Sequence, residues 1–107
     1  MSLDVYLNDN TGRELFAADI THNLAGMAQE AGVYEVLWRP EANDIVLAVQ
    51  LIEPLRRAIT ELVTRPSHYK QFNASNNWGR LENFLLFCVE YLEACVAHPE
   101  ATVQVSR

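Results

Sequence analysis

The chain has 107 residues, half of them hydrophobic, with 14 Asp and Glu against 8 Lys and Arg. That length fits one globular domain, and the apolar fraction excludes disorder. A net charge of −6 argues against nucleic acid as a partner, since binding to a phosphate backbone rests on neutralising phosphates with Lys and Arg.

Leu3-Asp4-Val5-Tyr6-Leu7 alternates apolar and polar residues apart from Tyr6, and reads as a half-buried strand. Asn8-Asp9-Asn10-Thr11-Gly12 is a dense turn signal, after which Glu14-Leu15-Phe16-Ala17-Ala18 resumes an apolar run. This predicts a hairpin. Asp19 or Thr21 then serves as a helix cap, ahead of Leu24, Met27, Ala28 and Ala31 at helical spacing and Gly32 just past the helix end. Residues 33–38 hold too many large apolar side chains for a solvated loop, and Pro40 ends whatever they form.

Asn43 or Asp44 is expected to open the next helix, whose stripe runs Ile45, Ala48, Ile52, Leu55, Ile59 and Leu62. Pro54 falls inside that stripe without shifting its phase, so either one kinked helix or two abutting helices in register end before Pro66. Residues 69–77 read as a polar connector. Trp78-Gly79 leads into the longest apolar element, Leu81–Ala97, where Phe84-Leu85-Leu86-Phe87-Cys88-Val89 covers more than a full turn. A helix apolar all round is expected to be buried on most sides. Ala101, Val103 and Val105 then share one face of a third strand, and a terminal strand needs a partner to stay ordered. The expected fold is therefore one α+β domain over residues 1–107. The N-terminal hairpin and the C-terminal strand form a small antiparallel sheet, packed against three to four helices.

No stretch approaches the ~18 consecutive apolar residues of a membrane helix, and Met1-Ser2-Leu3-Asp4 carries an acid where a signal peptide would be basic. These features give a cytoplasmic reading with no membrane partner. Cys88 and Cys95 are seven residues apart, roughly 10 Å along one helix, too far for a disulfide. Both are read as reduced core residues.

Candidate chemistry falls at three places. Thr21-His22-Asn23 lies at a helix start, where free N–H groups suit an anion or a carbonyl oxygen, although Thr and Asn are also ordinary caps. Residues 73–80 hold Asn73, Asn77, Trp78, Gly79 and Arg80; amides, an indole and a guanidinium match the composition of binding surfaces, and equally a cap before a helix. Trp38-Arg39 can offer an indole and a cation, or a buried tryptophan beside a solvated arginine. His22, Asn23, Trp38, Arg39, Asn77, Trp78 and Arg80 are the tentative ligand- or partner-binding residues. No catalytic residue, metal ligand or cofactor is assigned: Cys95 and His98 make only half a zinc site, Cys88 lies in the most apolar stretch, and the acids are too dispersed to mimic DNA.

Through Ile20-Thr21-His22-Asn23-Leu24, Leu37-Trp38-Arg39-Pro40-Glu41 and Asn77-Trp78-Gly79 the chain resembles, nearly end to end, a family of small uncharacterised proteins from bacteria and their phages. The resemblance carries no activity and no functional residue, and its phage members favour a protein that acts by binding another macromolecule. The sequence thus points to a small binding protein with a protein partner or a homo-oligomer. The alternative is a small-molecule or anion-binding domain, or a minor enzyme, with a pocket at helix starts near His22 and Asn77.

Overall fold

A computed structural model describes residues 2–74 and 79–107. The two ends of the chain meet in one three-stranded antiparallel sheet of order β2-β1-β3, formed by β1 (Ser2–Asn8), β2 (Glu14–Thr21) and β3 (Thr102–Ser106). The alternation in β1 does what a period of two requires: Leu3, Val5 and Leu7 are fully buried, and Asp4 and Tyr6 lie on the other face. Register sets Leu3 opposite Ile20, Val5 opposite Ala18 and Leu7 opposite Phe16, so the inner face of β2 continues that of β1. The hairpin turn is held by the Asp9 carboxylate, which accepts from Thr11 Oγ1 at 2.6 Å and from the Thr11 and Arg13 amides at 2.9 Å each. Those bonds, the Thr11 hydroxyl first, hold the Asp9 carboxyl below its ordinary pKa. Gly12 closes the turn at φ +87, a conformation that disfavours side chains.

After a single 3-10 turn over His22–Leu24 come α1 (Ala25–Glu30) and α2 (Tyr34–Trp38). Gly32 sits between them at φ +77, as a glycine past a helix end should. Thr21 caps the 3-10 turn, accepting from the Asn23 amide at 3.3 Å, whereas Asp19 lies within β2 and caps nothing.

The next helix, α3 (Val49–Thr64), begins later than the expected Asn43 or Asp44. Asn43 ends a second 3-10 turn (Pro40–Asn43), and Asp44 takes a left-handed φ of 58. Segment 46–47 is drawn out of the helix by β3: Val103 N–H donates to the Val46 carbonyl at 2.8 Å, and Leu47 bridges Thr102. The Gln50 side chain takes over the capping role by accepting from the Val46 and Leu47 amides at 2.8 and 2.9 Å. One helix runs through Pro54. Proline removes only the bond to Gln50, near the helix start, and the buried positions Leu51, Leu55, Ala58 and Leu62 keep their phase across it. Leu51 and Ala58 thus sit at the centre of the buried stripe, with Ile52 and Ile59 at its border.

The expected polar connector contains a short helix, α4 (Pro66–Lys70). Proline at its first position is preorganised for a helix start. Tyr69 is fully buried there, its hydroxyl donating to Glu61 Oε1 at 2.8 Å. Finally α5 (Leu81–Ala97) packs along α3 and over β2. Phe84, Phe87, Cys88, Tyr91 and Cys95 face the core. The run of apolar residues is nevertheless not buried all round: Leu86 is 58% exposed and Val96 59%. Among the described residues, no helix is long and apolar enough to cross a membrane.

Candidate functional site

Trp38 closes the core. Its side chain is 2% exposed, the Tyr34 ring stacks on it at 5.1 Å, and its indole N–H donates to His22 Nδ1 at 3.0 Å. Of the two readings of Trp38-Arg39, the structure has the buried tryptophan beside a solvated arginine. Accepting that bond fixes His22 Nδ1 without a proton and leaves Nε2 to carry one when the ring is neutral. His22 and Trp38 are thus brought together, but as a structural pair. Asn23 is exposed, with its amide engaged by Thr21.

Arg39 is exposed, and its backbone forms a corner. The Arg39 carbonyl accepts from Asn43 Nδ2 at 2.9 Å, and the Trp38 carbonyl accepts from the Arg107 guanidinium at 2.7 Å. Arg107 also pairs with Glu41 at 2.6 Å. The Glu41 carboxyl is held below its ordinary pKa by its own backbone amide first and by Arg107 second. This corner ties the end of α2 to the C-terminal strand.

Asn77 and Trp78 lie outside the described residues. Arg80 precedes α5 in extended backbone, its amide donating to Asn83 Oδ1 at 3.0 Å and its guanidinium 3.5 Å from Glu82. Asn73 accepts from the Leu81 amide at 2.7 Å, which caps the same helix. Of the side chains at the two helix starts where a pocket was expected, His22 is turned to Trp38 and Arg80 to Glu82.

The thiols offer little nucleophilic character. Both cysteines are free and buried, and burial raises both thiol pKa values, that of Cys95 to about 12. Among the described residues, no three His, Cys, Asp or Glu side chains cluster as metal ligands would.

A different surface has the geometry of a contact site. Between the outer edge of β2 and the overhanging side of α5 lies a groove of about 630 Å³, lined by Ala17, Ala18, Asp19 and Ile20 on the strand and by Leu86, Phe87 and Glu90 on the helix. β2 is an edge strand, and among the described residues its backbone has no partner beyond the β1 ladder. The opposite edge, β3, is covered at one end by residues 46–47. Those neighbours leave Val46 and Val49 exposed, but the Val46 backbone is already committed to Val103 and Gln50. Among the described residues, only at β2 do a free strand edge and a large exposed apolar side chain coincide.

Electrostatics sharpen the picture. The charged residues of the groove wall, Asp19 and Glu90, are both acidic. Asp19 also stands directly opposite Asp4 on the face away from the core. Like charges directly opposed on adjacent strands are destabilising, and none of Asp4, Asp19 and Glu90 has an ion-pair partner among the described residues. Sequence reasoning missed this site. Its signal was Leu86 within a run that wraps more than one turn: a helix packed on one side cannot bury every residue of such a run.

Comparison with family models, with curated proteins and with solved structures finds no match.

Proposed function

We propose that the chain works by binding a protein partner or a second copy of itself, and that the contact surface is the open edge of β2 with the face of α5 above it. The observation that carries this reading is the coincidence of an unpaired strand edge with Leu86, 58% exposed, along one groove. The unpaired N–H and C=O groups of a strand edge are a ready template for pairing with another chain. The indole of Trp38 belongs to the core and takes no part. An anionic ligand is disfavoured at this groove by Asp19 and Glu90. A cytoplasmic setting, where thiols stay reduced, agrees with Cys88 and Cys95 both being free.

The test places a photoreactive phenylalanine analogue at position 86, or at the equally exposed Val63 on α3 as control, in the expressing cell. A discrete adduct at 86 and none at 63 supports the reading, its mass distinguishing a second copy from another protein. Equal labelling at both positions, or none at 86, overturns it.

A further inference from the structure

Resting on the contact surface proposed above, we infer that the groove's occupant is an extended segment of another protein. It joins the sheet as a fourth strand, with apolar side chains turned toward α5 and Lys or Arg on the opposite face. Strand addition to an exposed edge draws affinity from main-chain hydrogen bonds and specificity from alternate side chains.

The geometry allots those side chains to two surfaces. A strand added beside β2 lies about 4.8 Å from it and alternates between the two faces of the sheet. On the helix side its neighbours are Ala18 and Ile20, under Leu86 and Phe87. Ala18, small and half-buried, leaves room there for a branched apolar side chain, and such a side chain would cover Leu86. On the other side the cross-strand row reads Asp19, Asp4, Ser106. It holds two acids and no cation. A Lys or Arg on the incoming strand would stand next to Asp19 and offset its repulsion with Asp4 across the ladder. Glu90, on the helix side of the groove, adds a further acid to its wall.

The same charges disfavour a second copy as occupant. Antiparallel pairing of β2 with itself would bring a second Asp19 and Glu90 to the seam, and the residues of β2 include no cation to meet them. A chain with net charge −6 also repels its own copies at long range.

The experiment uses the whole chain and labelled peptides, read by fluorescence anisotropy at low and at 300 mM salt. The probes are a Lys/Val alternating heptapeptide, its Glu/Val counterpart, the chain's own Glu14–Thr21 segment, and two versions of the Lys/Val peptide N-methylated at odd or at even positions. The expected result is binding of the Lys/Val peptide at least about tenfold tighter than the Glu/Val peptide, weakening with salt as surface charge pairs do. One N-methylation phase should lose at least about tenfold and the other little, because only alternate amides of an added strand face the sheet. Asp19→Lys and Leu86→Lys should each weaken binding at least about fivefold, with thermal melts showing that both variants remain folded.

Equal affinity for the Lys and Glu peptides overturns the assigned chemistry. Binding indifferent to N-methylation phase or to Leu86→Lys means adsorption to acidic surface, and overturns strand addition. Tightest binding by the Glu14–Thr21 peptide makes a second copy the occupant. If no peptide binds, the inference falls. An adduct at position 86 would in either of those last two cases leave the contact surface standing, so the two readings fail separately.

Discussion

Replacing Tyr91 by phenylalanine isolates one atom of the core. The ring is fully buried, stacked on Phe16 at 5.8 Å with planes 15° apart and set edge-on to Phe87 at 5.6 Å. Phenylalanine keeps those contacts. The hydroxyl, however, has no hydrogen-bond partner among the described residues, and burial pushes the phenol pKa up. A buried polar group without a partner costs about 1–3 kcal/mol, and removing it recovers much of that. Dispersion contacts of the oxygen are lost in exchange, so Tyr91→Phe should stabilise the fold by about 1 kcal/mol. For a domain of this size that raises Tm by about 4–8 °C. Urea unfolding, followed by circular dichroism with an unchanged slope, should show the midpoint moving up by roughly 0.5 M. A variant destabilised by about 1 kcal/mol or more would refute the reasoning, since it would mean that the hydroxyl is bonded in the folded state.

Trp38→Phe strands His22 Nδ1 and opens space in the core, so it should lose about 1–3 kcal/mol in chemical denaturation, while adduct formation at position 86 is unchanged. Asp19→Lys should do the opposite: stabilise the free chain by about 0.2–1 kcal/mol, by pairing with Asp4 across the ladder, while weakening capture of a basic strand. Alkaline stability follows from groups that stay protonated in the fold. The Tyr69 phenol is pushed to about 12 by burial first and by the Glu61 bond second, and Cys95 to about 12 by burial. Below the unfolded values these groups are protonated in both states and the stability is fully present. Above about 9 for cysteine and 10 for tyrosine the unfolded chain binds fewer protons, so stability should fall progressively up to pH ~12, as read by denaturant midpoints. Native protein should leave Cys88 and Cys95 unmodified by a thiol reagent that labels both in denaturant, and rapid labelling of the native chain would contradict their burial.

Much of the fold was legible because the signals were local. Alternation in β1 and at Val103 and Val105 marks strands by period alone, and the need to pair terminal strands joined them into one sheet. The bounds of α5 followed from the longest apolar element of the chain, Leu81–Ala97, with six apolar residues in a row at 84–89. Long-range pairing was not legible. The start of α3 moved because β3, more than fifty residues away, claims the backbone at 46–47, and Tyr69 was misplaced because two aromatics, Tyr69 and Phe72, in a polar stretch are too few to show a period. The candidate site was the least legible part. Trp38 has the composition of a hot spot, but it is tied down by His22 reaching it from a separate element, beside Tyr34 on its own helix α2. The groove depends on which edge of the sheet is left open, which strand order decides and no local pattern records.

The contact surface requires the outer edge of β2 to be open in the free chain, and amide hydrogen exchange at low protein concentration measures this directly. Alternate amides of Glu14–Thr21, those facing away from β1, should exchange orders of magnitude faster than the amides of β1, which should approach the protection of global unfolding. Uniform strong protection along β2 in the dilute monomer would mean that the edge is already covered, and would contradict the contact surface and the strand addition built on it.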